Sequence, residues 1–229
     1  MTVKELLSTE VGEGEVAFVV FNEYSGVALK TSGTVIVVDP TFVDPDVFEE
    51  VDAILITHEH FDHLDLDVVE AVQRRTGCLV VSDKESYRRL RAAVPENRLV
   101  AVDVGDEVDL EGVKVYVKES NHPPATRPVT YVIEGEGGVK VYHTSDSLPF
   151  RRMEEIGRRF TPDVAFCTVG IAPGASLTTG VEIAELVRPR LAVPYHGRGF
   201  ERFCRLLSSR APDVGCLATE VGRVYKYPR

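Results

Sequence analysis

Thr57-His58-Glu59-His60-Phe61-Asp62-His63-Leu64-Asp65 gathers three of the chain's six histidines and an aspartate into six consecutive positions. The apolar run Ala53-Ile54-Leu55-Ile56 precedes it, and Leu64, Val68, Val69 and Val72 recur behind it at helical spacing. The stretch therefore reads as a turn that leaves the C-terminal end of a strand and enters a helix. Open α/β sheets place their ligand sites at such strand ends.

Upstream, Val16–Phe21, Val27–Lys30 and Thr34–Val38 are strand-like, and Gly26 and Ser32-Gly33 break them as hairpin turns do. Residues 1–14 are polar and contain glycine, so the sequence predicts a loose lead there. Asp39-Pro40 ends the third strand, and a Pro-rich loop leads to the strand before the histidines.

Downstream the pattern continues with a helix, the short strand Cys78–Val81 and a basic helix over Lys84–Ala93, whose charges read as a solvated face. Leu99–Val102, Val108–Leu110 and Val113–Lys118 read as strands in hairpin arrangement. Tyr131–Glu134 and Val139–His143 flank a glycine-rich turn. After Ser145-Asp146-Ser147, helix and strand alternate as far as Tyr195-His196-Gly197, a last helix, and closing strands within Val214–Tyr227. Hairpins followed by βα units thus occur twice, over 15 to about 95 and about 98 to 210. Two mixed sheets that face each other, with helices outside, would bury these faces. No Gly/Ser linker divides the 229 residues, so one α/β domain spanning 1–229 is expected.

The 26 Lys plus Arg against 36 Asp plus Glu give a net charge of −10, which opposes non-specific binding to nucleic acid or an anionic membrane. Residues 1–15 lack a basic-then-apolar leader, and no apolar run approaches the roughly 20 residues of a membrane span, so a cytoplasmic location is expected. Cys78, Cys167, Cys204 and Cys216 are scattered, without a C-x-x-C pair, and read as reduced thiols.

His58 and His60, two apart on extended chain, aim the same way, whereas Asp62 and His63 sit at the helix start and must diverge from them. One turn can in this way serve two cations. His122, Asp146 and His196 arrive singly, each just past a strand. A lone histidine at such a position reads as readily as a core or surface residue, but five of six histidines at the motif or at strand-end loops form a joint pattern. Imidazole and carboxylate together suit zinc first, and also manganese or iron.

The motif resembles the H-x-H-x-D-H signature of the metallo-β-lactamase superfamily, and His122, Asp146 and His196 follow in that superfamily's order. Val37-Val38-Asp39-Pro40 is similar to its strand-ending Asp-Pro. Tyr142-His143-Thr144-Ser145-Asp146-Ser147 resembles the Y-H-x-G-D-T segment of the branch of metal-dependent hydrolases that includes ascorbate-phosphate lactonase, as do Leu177-Thr178 and Pro194-Tyr195-His196-Gly197. Ser145 and Ser147 depart from that branch's Gly and Thr, and Gly170–Gly174 reorders its Pro/Gly pattern.

The resemblance implies a four-layer αβ/βα sandwich and two divalent ions. His58, His60 and His122 would hold one ion, Asp62, His63 and His196 the other, with Asp146 bridging and Asp39 orienting the motif turn. A dinuclear centre with ions roughly 3.5–4 Å apart makes hydroxide available near neutral pH. Asp62 would then serve as general base and later acid in opening a small ester, lactone or phosphoester. His143, Tyr195 and Arg198 are candidates for support or substrate contact. Position 60 is His, where a diiron oxygen-reducing enzyme would carry Glu, and the Gly/Pro-rich arm of tRNA-processing nucleases is missing. A small-molecule hydrolase is the leading expectation. A phosphodiesterase acting on short nucleic acid and a non-catalytic metal-binding protein are the alternatives, and the chain could form a homo-oligomer in any of these roles.

Overall fold

A computed structural model describes residues 2–228. The first segments are α1 (Thr2–Ser8), β1 (Val16–Val20), β2 (Val27–Lys30), β3 (Val35–Val38) and β4 (Ala53–Ile56). They continue through α2 (Leu66–Thr76), β5 (Leu79–Asp83), α3 (Lys84–Leu90), β6 (Leu99–Val102), β7 (Glu107–Leu110) and β8 (Val113–Glu119). The remainder comprises β9 (Val129–Glu134), β10 (Lys140–His143), α4 (Met153–Phe160), β11 (Val164–Thr168) and α5 (Leu177–Val187). It ends with β12 (Leu191–Tyr195), α6 (Phe200–Arg210), β13 (Gly215–Cys216) and β14 (Val224–Tyr227).

The strands form two seven-stranded mixed sheets, ordered β14-β1-β2-β3-β4-β5-β6 and β13-β12-β11-β10-β9-β8-β7. In each, a run of hairpins passes into parallel strands: β3, β4, β5 and β6 in the first, and β10, β11, β12 and β13 in the second. This is the expected pair of facing sheets with helices outside.

Side-chain alternation in β4 shows how the layers are built. Ala53 and Leu55 point into the core between the sheets, among Phe18, Tyr131 and Phe166. Ile54 and Ile56 point outward, onto Val68, Val69 and Val72 of α2. Each such fully buried side chain stabilises the fold by about 1.5–3 kcal/mol. Asp65 starts α2 by accepting from the amides of Asp67 and Val68, and Gly77, at φ 71°, closes it. On the other outer face, Met153 and Ile156 of α4, Val181 and Ile183 of α5, and Phe203 and Leu207 of α6 pack together.

Three expectations need correction. Residues 2–8 form a helix, because Val3 and Leu6 are buried against the first sheet. Leu99–Val102 does not belong to the second half but pairs in parallel with β5, as β6. Cys204 and Cys216 are joined in a disulfide, since α6 and β13 bring their Cα atoms to 5.5 Å, while Cys78 and Cys167 are free and buried. Among the described residues, no helix is long and apolar enough to cross a membrane.

Candidate metal centre

Strand ends from both sheets converge on one place. β4 leads into the motif turn, β8 into the His122 loop, β10 into Asp146, and β12 into His196. Two groups of side chains result: His58, His60, His122 and Asp146, and Asp62, His63, Asp146 and His196, each with one donor atom per residue inside 4.8 Å. Asp146 belongs to both. Its Oδ1 lies 3.1 Å from His63 Nε2 and 3.0 Å from His196 Nε2, and its Oδ2 lies 4.0 Å from His58 Nε2 and 3.8 Å from His122 Nε2. Asp62 Oδ2 stands 3.9 Å from His63 Nε2 and 3.8 Å from His196 Nε2.

This donor set fits divalent cations. Bonds of about 2.0–2.1 Å in tetrahedral geometry require donors roughly 3.3 Å apart, and these spacings bracket that value. His63 Nε2, His196 Nε2 and Asp146 Oδ1 are buried without hydrogen-bond partners despite their proximity. Buried polar atoms are normally paired, so atoms that approach without bonding one another are aimed at a shared point.

The electrostatics agree with the geometry. Burial pushes the Asp146 carboxyl upward, but the neighbouring charge of His63 and the contacts to His196 outweigh it and hold Asp146 well below the usual carboxylate range. Burial pushes His63 down, yet Asp146 and Asp39 raise it to about 10. Burial lowers His122 and, reinforced by the charge of His63, takes His58 well below its ordinary value. The Asp146 carboxylate and the His58 and His122 imidazoles are thereby deprotonated at neutral pH, as ligation requires, whereas His63 carries a proton between Asp146 and Asp39 that a bound cation would have to displace.

The surrounding residues fix these rings. Asp39, fully buried at φ 49°, accepts from the Thr57 amide at 2.8 Å through Oδ1. Its Oδ2 accepts from the Thr57 hydroxyl at 2.7 Å and faces His63 Nδ1 at 2.8 Å. Thr57 Oγ1 in turn lies 3.1 Å from His58 Nδ1. One carboxylate thus anchors a histidine of each group, and such outer contacts set ring orientation and ligand basicity.

Three hydroxyls carry no sequence signal of their own. Ser25 Oγ lies 2.9 Å from His63 Nδ1, Ser145 Oγ donates to Thr57 Oγ1 at 2.8 Å, and Thr57 itself joins the pair to Asp39. The Ser147 hydroxyl accepts from the Asn121 amide at 2.9 Å and so ties the His122 loop to the Asp146 loop. Glu59, inside the motif, points away and accepts from the amide and hydroxyl of Thr126.

Of the remaining candidates, His143 is fully buried, with Nε2 on the Ser25 carbonyl at 3.0 Å and Nδ1 accepting from the Ser145 amide at 3.3 Å. Burial lowers it to about 4. Tyr195 is also buried and donates to the Ser145 carbonyl at 2.8 Å. Both support the Asp146 turn, and neither side chain is exposed. Arg198 is the reverse case: its side chain is 91 % exposed and approaches Glu23 at 3.6 Å on the rim of a cavity beside His196. His196 itself, at φ 52°, is placed where Gly197 presses on the Gly170 backbone, leaving no room for a Cβ.

Comparison with known proteins places this geometry. Residues 34–196 match the model of the Beta-lactamase superfamily domain, a span that includes all seven converging side chains. A UPF0173 metal-dependent hydrolase of Caldivirga maquilingensis is 32 % identical over 213 residues, covering 86 % of this chain and 92 % of the relative. A second, from Metallosphaera sedula, is 28 % identical over 183 residues, 76 % of this chain and 80 % of the relative. Igni18, a metallo hydrolase of Ignicoccus hospitalis, superposes with a TM-score of 0.81 at 22 % identity, over 93 % of this chain and 99 % of that one. The metallo-β-lactamase fold protein YhfI of Bacillus subtilis shares the fold at a TM-score of 0.74 and 14 % identity, over 94 % and 100 % of the chains. The chain belongs to the metallo-β-lactamase superfamily and, within it, to the UPF0173 metal-dependent hydrolase family.

Proposed function

We propose that this protein is a metal-dependent hydrolase acting on a small-molecule ester, lactone or phosphoester. The observation that carries the reading is Asp146, whose two carboxylate oxygens each face a different trio of ligand-type side chains. His58, His60 and His122 would hold one divalent ion and Asp62, His63 and His196 the other, with Asp146 shared. When bound, two such ions supply a nucleophile derived from water at neutral pH and polarise the acceptor oxygen.

The chain's own residues then have definite tasks. Asp39 and Thr57 keep the two histidines in the orientation that turns Nε2 toward the centre. Asp62, on the motif turn with its backbone carbonyl anchored by the Thr41 hydroxyl at 3.0 Å, is the carboxylate positioned to take the proton of the attacking water and deliver it to the leaving group. The names of the relatives and the two ligand groups of this chain support hydrolysis. The lactone as substrate rests on the resemblance of the Tyr142–Ser147, Leu177-Thr178 and Pro194–Gly197 segments.

The test is a hydrolysis panel on protein freed of metal and reloaded separately with zinc, manganese and iron, using carboxylic esters, lactones, thioesters, phosphodiesters and β-lactams. Turnover of at least one class with about two ions per chain is expected, and Asp62→Asn should lose most turnover and weaken the ion held with His63 and His196. No turnover with any metal, together with less than one bound ion per chain, overturns the reading.

A further inference from the structure

Beside His196 opens a cavity of about 450 Å³, walled by Tyr24, Ile171, Phe200 and Val221 and rimmed by Glu23 and Arg198. An aromatic row continues from it toward the motif. Tyr24 lies 6.1 Å from the His196 ring and stacks on Phe42 at 4.7 Å, and Phe42 meets Phe61 edge-on at 6.1 Å. Phe61 stands between His60 and Asp62 in sequence, so the row spans both groups of the centre.

Two features set this surface apart. Phe42, Phe61, Ile171 and Val221 are 55, 75, 54 and 50 % exposed, a concentration of large apolar side chains that a soluble surface normally avoids. Phe42 and Ile171 are also held at φ 50° and 56°, a left-handed conformation that bulky and β-branched residues rarely adopt. Strain kept at an exposed position, with no burial to offset it, marks residues presented to a ligand. The charges on the rim, Glu23 and Arg198, oppose each other and leave the lining with no net cation for an anionic substrate group.

We propose that the cavity and the aromatic row receive the apolar alkyl or aryl group of a carboxylic ester or lactone, and that neutral acyl compounds of this class are the substrates. The proposal rests on the hydrolase reading above. In the reaction the acyl carbon–oxygen bond breaks, the oxygen of water joins the acyl carbon, one of its protons goes to the leaving alkoxide, and the other is released from the carboxylic acid formed. Tyr24, Phe42 and Ile171 hold the apolar group so that the carbonyl lies at Asp146 and Asp62.

The experiment measures kcat/KM of the metal-loaded full chain for p-nitrophenyl esters from acetate to octanoate, with bis-p-nitrophenyl phosphate as the anionic competitor. Each methylene buried should raise kcat/KM by roughly threefold to fourfold until the cavity is filled. Ile171→Gly should melt no lower than the wild type, because the strain at φ 56° is removed, yet it should lose much of the rise with chain length. Phe42→Ser should flatten the series as well. Val104→Ser, at an exposed apolar site remote from the cavity, should leave the slope unchanged.

A flat series in the wild type, or a preference for the phosphodiester over octanoate, overturns the proposal while leaving hydrolase activity intact. So does a wild-type dimer that Phe42→Ser converts to monomer without altering the slope, since the row is then an interface between copies. If no ester is turned over with any metal, calorimetric titration with sodium octanoate and sodium acetate decides the cavity separately: octanoate binding at least tenfold tighter supports it, and equal affinity overturns it.

Discussion

Ser145 Oγ donates to Thr57 Oγ1 at 2.8 Å, joining a loop of the second sheet to the motif turn of the first. Thr57 Oγ1 itself donates a hydrogen bond to Asp39 and faces His58 Nδ1, so the Ser145 hydroxyl completes a chain that ends on a ligand candidate. The position is expensive for serine, since φ is 50°. A left-handed non-glycine residue costs about 1–2 kcal/mol.

Two substitutions separate the hydroxyl from the strain. Ser145→Ala keeps the strain and removes the donor, and it should weaken one of two zinc sites by about tenfold. Ser145→Gly should weaken that site equally but melt later than Ser145→Ala by the equivalent of about 1 kcal/mol. Competition against a chromophoric zinc chelator, with calorimetric melting of each variant, reads both effects. Unchanged zinc affinity in Ser145→Ala would remove the hydroxyl from the support of His58.

Gly197 is constrained differently, by what lies against it. A Cβ there would stand 2.8 Å from the Gly170 amide nitrogen and 3.0 Å from its Cα, both backbone atoms with no side chain to yield. Gly197→Ala must push the 170 loop and the His196 turn apart, at a cost of about 1–3 kcal/mol. Because His196 immediately precedes it, the second group should lose zinc affinity by tenfold or more while the group of His58, His60 and His122 binds as before. Equal weakening of both groups in the same titration would show general loosening instead.

The motif turn was legible because its residues are chemically rare and its flanks are periodic. Ala53–Ile56 reads as a buried strand and Val68, Val69 and Val72 as one helix face, so the motif's four ligand candidates lie on the turn between them. The hairpins at Gly26 and Gly135–Gly138 carry their own turn chemistry. Strand partners do not: Leu99–Val102 has the same alternation whether it forms a hairpin with β7 or extends β5 in parallel. The supporting hydroxyls were illegible for a related reason. Ser25 and Ser145 are common residues in polar turns, and their partners lie 38 and 88 residues away. The Cys204–Cys216 pair escaped because the two lie twelve positions apart across a helix end and a two-residue strand, with no recognisable spacing.

That disulfide closes a short loop linking α6 to the edge of the second sheet. In the chain-entropy account a loop of this length stabilises by roughly 3 kcal/mol, which for a chain of this size is about 6–12 °C in Tm. Denatured protein should titrate two thiols without reductant, from Cys78 and Cys167, and four after reduction. The double variant Cys204→Ala, Cys216→Ala should melt earlier by that margin, and reductant should then have no further effect on it. Four thiols in the unreduced protein would show that the pair is open.

Asp83 provides a pH test on a carboxylate outside the two converging ligand groups. Its Oδ1 caps α3, accepting from the amides of Glu85 at 2.8 Å and Ser86 at 3.1 Å, while Oδ2 is buried without a partner beside the equally unpartnered hydroxyls of Ser82 and Ser86. Burial pushes the carboxyl up to about 6 from an ordinary 3.8. An acid whose pKa rises on folding opposes folding once ionised. The cost is nil below about pH 4, where both states hold the proton, grows between 4 and 6, and is complete above 6, at about 3 kcal/mol as an upper figure. Asp83→Asn keeps an effective cap and supplies an amide donor where the carboxylate leaves Oδ2 unmatched. Urea unfolding at intervals from pH 4 to 8 should therefore show the variant gaining stability over the wild type as pH rises through 6, with the two converging toward pH 4. Asp83→Ala, which loses the cap, should fall below Asp83→Asn by about 1 kcal/mol at every pH. A constant difference between Asp83→Asn and wild type across the range would mean that the Asp83 carboxyl titrates in the folded chain as it does in the unfolded one.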